Sequence, residues 1–121
     1  MTVLTIDEIK DKVTLVAKKY DIPRVYLFGS YARNTFTDTS DVDLVIDGSN
    51  ISDYDVLFDL EEELEEALGR HVDIIEYEVL LNNNTDKRKA FNVSVMNEMI
   101  GVVWTKTYAI SLIWLILEVG L

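Results

Sequence analysis

The sequence predicts an α/β (α+β) fold, a small mixed β-sheet flanked by helices. Three observations carry that prediction. Apolar residues recur at helical spacing in two long stretches, residues 6–20 and 56–68. Short runs of strand length stand at 24–28, 43–46 and 71–75, each following turn or breaker residues. Pro23, Gly29, Asp47-Gly48-Ser49-Asn50 and Gly69 punctuate the chain, with no internal repeat and no Pro-rich or Ser-rich linker. At 121 residues, 49% of them hydrophobic, the chain can build one core but not two.

The elements follow in order. Thr5-Ile6-Asp7-Glu8 is a capping box, in which hydroxyl and carboxylate satisfy orphan amides at a helix start. Ile6, Ile9, Val13, Val16 and Tyr20 then form one apolar stripe, and Pro23 prevents the helix from continuing. Arg24 to Phe28 reads as a buried strand ending at Gly29, and Asp43 to Ile46 as a second strand closed by turn residues. Ser52 with Asp55 predicts the next helix start, Val56, Leu57, Leu60, Leu64, Ala67 and Leu68 its apolar stripe, and Gly69 its C-cap. Glu61, Glu62, Glu63, Glu65 and Glu66 read as its solvated face. His71 to Ile75 is a third strand and Asn82-Asn83-Asn84 a loop. Lys87 to Met99 is a last helix, before a short strand at Val102-Val103-Trp104.

Composition narrows the function. With 22 acidic against 11 basic residues the net charge is −11, so direct binding to DNA or RNA phosphates is not expected. A nucleotide bound together with Mg²⁺ is compatible, because the metal neutralises carboxylates and phosphates alike. The absence of cysteine excludes disulfides, thiolate metal sites and Cys nucleophiles, and fits a reducing cytoplasm. The N-terminus has no basic-then-apolar pattern, so no signal peptide is expected.

The chemistry concentrates in two places. Gly29 ends a strand where the chain must turn sharply, and Ser30 opens a helix whose amides favour anions. A nucleoside triphosphate tail fits there, with Arg33 one turn on to contact phosphate oxygens. Ten residues after Ser30 come Asp41 and Asp43, two apart at the head of a strand, so their carboxylates leave one face while Val42, Leu44 and Ile46 face the core. Carboxylates that close repel unless a hard divalent cation lies between them. Asp73, between apolar Val72 and Ile74, joins them if its strand neighbours theirs. Three such acids suit two-metal nucleotidyl transfer, with Asp73 as the base-like group near the attacking oxygen. His71 shares a strand face with Asp73 but reads first as a partly exposed histidine, and Tyr31 as a packing residue. Lys87, Arg88 and Lys89 form the one basic cluster, read as a solvated helix start.

Gly29-Ser30 followed by Asp41-x-Asp43 resembles the signature of the DNA polymerase β-type nucleotidyltransferases. The short chain makes it similar to the minimal nucleotidyltransferases, the antitoxins of HEPN/MNT toxin–antitoxin pairs; the likeness covers about residues 5–106. That resemblance implies the polymerase β-like fold. It implies Gly29 and Ser30 as nucleotide contacts, and Asp41, Asp43 and Asp73 as metal and catalytic carboxylates. It further implies ATP as substrate, Mg²⁺ as cofactor, and transfer of AMP to a hydroxyl, typically a tyrosine, of a HEPN toxin. The family often has glycine where this chain has Asn34, a residue that tolerates tight backbone turns. Two alternatives stand beside this reading: an antitoxin that acts by binding alone, and a small-molecule (antibiotic) nucleotidyltransferase. The latter usually carries a second domain, for which there is no room here.

The division expected is a nucleotidyltransferase domain over 1–106 and an apolar appendage over 107–121. Tyr108 to Leu117 is apolar apart from Ser111, yet shorter than the roughly twenty residues of a membrane span. No membrane insertion is expected. Such a strip calls for a cover: the domain itself, a second copy in a homodimer, or a partner protein.

Overall fold

A computed structural model of the chain describes residues 4–82 and 84–104. The appendage expected over 107–121 lies outside the described residues. The order is α1 (Ile6–Lys19), β1 (Arg24–Phe28), a short α2 (Gly29–Ala32), β2 (Val42–Ile46), α3 (Tyr54–Leu68), β3 (Val72–Glu76), a 3₁₀ turn (Tyr77–Leu81), α4 (Asp86–Glu98) and β4 (Ile100–Trp104).

Side-chain caps start the long helices. The Glu8 amide donates to Thr5 Oγ1 at 3.1 Å. The start of α3 corrects the sequence reading, because Asp53 and not Ser52 is the cap, with the Val56 amide donating to its Oδ1 at 3.0 Å. A carboxylate there satisfies an orphan amide and complements the helix dipole as well. Gly69 ends α3 at φ +65°, as expected, its amide donating to the Glu65 carbonyl at 2.8 Å. Thr85 caps α4 through the Arg88 amide, one residue earlier than the basic cluster implied. The 3₁₀ turn was not anticipated, and β4 begins at Ile100, earlier than Val102.

The sheet order is β3-β2-β1-β4. β1 pairs antiparallel with β2 and β4, whereas β2 and β3 run parallel across the α3 connection, giving the mixed sheet that was expected. One face packs on α1 and α3, burying Ile9, Val13, Leu60 and Leu64 against Val25, Leu27, Leu44 and Val72. Each large aliphatic side chain so buried contributes about 1.5–3 kcal/mol. The other face carries a smaller cluster of Tyr26, Val45, Leu80 and Val95. Val45 is therefore buried as well as Leu44 and Ile46, because the 3₁₀ turn and α4 cover the face that a simple alternation would leave to water. No described helix is long and apolar enough to cross a membrane.

Candidate active site

Strand pairing assembles the site. In the antiparallel β1–β2 register Phe28 stands opposite Asp43, so the turn after β1 falls beside that carboxylate. In the parallel β2–β3 register Asp43 stands opposite Asp73, so the two side chains share a face. Gly29 is held at φ +71°, a conformation L side chains rarely adopt. A Cβ added there would come within 3.0 Å of Asp43 Cγ and closer still to Oδ2. Backbone conformation and contact with Asp43 thus both require glycine.

The electrostatics match that crowding. The half-buried Asp43 carboxyl is pushed up to about 6, first by burial, then by the charge of Asp73 and a hydrogen bond with it, and by Asp41; Arg33 offsets part of this. Asp41, Asp73 and His71 are exposed, and each offers one ligand atom within 4.8 Å of the others. Two carboxylates and an imidazole, gathered beside a carboxyl that resists ionisation, suit a divalent cation.

Around this centre the remaining candidates take definite places. Ser30 lies in α2, which is a single turn: the Arg33 amide donates to the Gly29 carbonyl at 3.0 Å and the Thr35 amide to the Ser30 carbonyl at 2.9 Å. Four residues build little dipole, so the turn offers a few amides rather than a helix N-terminus. Asn34 takes φ +59°, in line with its tolerance of tight turns. Tyr31 is fully buried and stacks on Phe36 with centroids 4.3 Å apart, the packing role expected of it. Arg33 points to the surface, where Nη1 pairs with Glu98 Oε2 at 3.1 Å. Its guanidinium therefore meets α4 as well as the field of Asp43.

Two participants were read otherwise from sequence. His71 is exposed but not idle: Nδ1 lies 2.8 Å from Glu65 Oε2 and Nε2 lies 3.0 Å from Asp73 Oδ1. Both carboxylates raise its pKa, Asp73 most. Glu65, read as part of a solvated face, also accepts from the Val72 amide at 3.2 Å. Its position in the last turn of α3, just before the strand that bears Asp73, was the available signal.

Fold and site together define a nucleotidyltransferase. The model of the polymerase beta nucleotidyltransferase family matches residues 11–98, and the chain belongs to that family, as the resemblance implied. It is 40% identical over 77 residues to a candidate protein adenylyltransferase of Methanocaldococcus jannaschii, a match covering 61% of this chain and 80% of that protein. It is 34% identical over 79 residues to the protein adenylyltransferase MntA of Thermococcus cleftensis, covering 62% of this chain and 80% of that protein. A chain from the complex of the Shewanella oneidensis tri-AMPylated HEPN toxin with its MNT antitoxin aligns with a TM-score of 0.57 at 17% identity. That alignment covers 93% of this chain and 87% of the other, and it is a likeness of fold.

Proposed function

We propose that this chain is a Mg²⁺-dependent protein adenylyltransferase that transfers AMP from ATP to a hydroxyl, a tyrosine, of a HEPN-type toxin, and so acts as its antitoxin in the cytoplasm. The observation that carries the reading is the side-by-side register of Asp43 and Asp73 with Gly29 pressed against Asp43. The names of the relatives support protein as the acceptor, and the toxin–antitoxin complex of like fold supports a HEPN partner.

In this reading Asp41, Asp43 and Asp73 hold the metal. When bound, Mg²⁺ supplies charge neutralisation at the phosphates and acidifies the attacking hydroxyl. Gly29 and Ser30 seat the triphosphate on their turn, and Arg33 reaches it by exchanging Glu98 for phosphate oxygens. The acceptor oxygen bonds to the α-phosphorus, the bond from that phosphorus to the α–β bridging oxygen breaks, and pyrophosphate leaves. The hydroxyl proton passes to Asp73.

The test is label transfer from α-³²P-ATP to the protein encoded beside this one, with γ-³²P-ATP as control. Wild type should label it from the α position only, and Asp41→Ala/Asp43→Ala should not. If both proteins neutralise the neighbour and neither labels it from any of the four nucleotides, the binding-only antitoxin stands instead.

A further inference from the structure

His71 occupies a position that the motif does not explain. It immediately precedes β3 and lies two residues before Asp73, so the two side chains share a face. Its Nε2 is 3.0 Å from Asp73 Oδ1. Two adjacent ligands on one ion, each about 2.1 Å from it, stand about 3 Å apart. The Asp41 carboxylate belongs to the same group of donors, all within 4.8 Å.

The far side of the ring is held as a ligating imidazole is held. Nδ1 faces Glu65 Oε2 at 2.8 Å, and that oxygen is itself fixed by the Val72 amide. A carboxylate behind the ring fixes its orientation, and an ion would take the place of the proton that Nε2 shares with Asp73. The ring is 54% exposed, which leaves its front open to an ion.

We infer that His71 supplies Nε2 as a nitrogen ligand to the metal site, oriented by Glu65, and that the site thereby prefers transition ions such as Mn²⁺ and Co²⁺ over Mg²⁺. The inference rests on the reading that the aspartates bind a divalent cation, and adds a residue and a selectivity to it. Imidazole nitrogen suits first-row transition ions and contributes little to Mg²⁺, which demands oxygen. Three aspartates alone would show a weaker bias.

The experiment uses the full chain, stripped of metal with chelator and reloaded with Mn²⁺ alone. Pulsed electron paramagnetic resonance should show the ¹⁴N coupling of a directly bound nitrogen in wild type and lose it in His71→Gln. Calorimetric titration should show His71→Gln weakening Mn²⁺ and Co²⁺ at least about tenfold while Mg²⁺ changes less than about threefold, with Glu65→Gln falling between. Mn²⁺ that binds without ¹⁴N coupling overturns the role of His71 and leaves the aspartate site standing. Equal weakening of all three ions overturns the selectivity. If no Mn²⁺ binds to wild type, the inference and the metal-dependent reading of the site fall together.

Discussion

Asp43 and Asp47 stand near the two ends of one strand, four residues apart, and their surroundings are opposite. Asp47 is the more deeply buried, at 5% exposure. Burial alone would push its carboxyl up, yet bonds from Ser49 and the Arg24 guanidinium hold it below the ordinary range. The Ser49 amide donates to Oδ1 at 3.0 Å, Arg24 Nη2 lies 3.2 Å from Oδ2, and the guanidinium rests on the Tyr77 ring at 4.5 Å. Asp43 meets two more carboxylates instead, and its carboxyl is pushed up to about 6. One acid receives its counter-charge from the fold. The other is held against like charge, which weakens the fold locally and favours a cation arriving from solution.

Removing the charge at each end separates the two roles. Asp43→Asn should cut AMP transfer roughly a thousandfold, since it removes a metal-holding carboxylate, while leaving the melting temperature equal or higher. A variant that melts earlier and still transfers AMP would break the comparison. Gly29→Ala acts on the same acid through its neighbour. It should cost about 1–2 kcal/mol for the left-handed backbone. Transfer should fall about a hundredfold as the Asp43 carboxylate is displaced.

Asp47→Asn removes one charged partner from the part-buried Arg24 guanidinium and should lower unfolding free energy by about 2 kcal/mol in denaturant titration. Transfer per folded molecule should not change. The pH dependence sharpens the contrast, measured in chelator. Because the folded value of Asp43 is raised, its share of stability is full below the ordinary 3.8 and is lost as pH rises through about 6. Because that of Asp47 is lowered, its share is present above the ordinary 3.8 and is lost as pH falls through the depressed value. Each slope should vanish in the matching Asn variant and persist in the other.

The smallest effect belongs to Glu98→Gln. The Arg33–Glu98 pair is half-exposed and worth little in stability, so the melting temperature should stay put. Freeing Arg33 should lower the KM for ATP about threefold, consistent with a surface pair worth under 1 kcal/mol. An unchanged KM would remove Arg33 from the phosphate contacts.

Much of this was legible along the chain. The stripe from Ile9 to Val16 and that from Leu60 to Leu68 mark their helices and their buried faces. Gly29, Asp41 and Asp43 declare themselves by spacing. Legibility stopped where partners lie far apart in sequence. The α3 cap is a local exception, since Asp53 takes the place that the sequence reading gives to Ser52. Val45 reads as solvent-facing until a 3₁₀ turn and α4 are laid over it. Glu65 looks like one more surface acid until α3 delivers it to His71.

The sequence by itself determined the two long helices, the first three strands and the spacing of the motif residues, because each depends on neighbours within a turn or two of chain. Only the tertiary structure decided that β2 and β3 pair in parallel with Asp43 beside Asp73, that Arg33 meets Glu98, and that His71 stands between Glu65 and Asp73. Those facts are matters of register between distant segments. Register is set by how two faces of a sheet are buried at once, a property that no stretch of the chain carries alone.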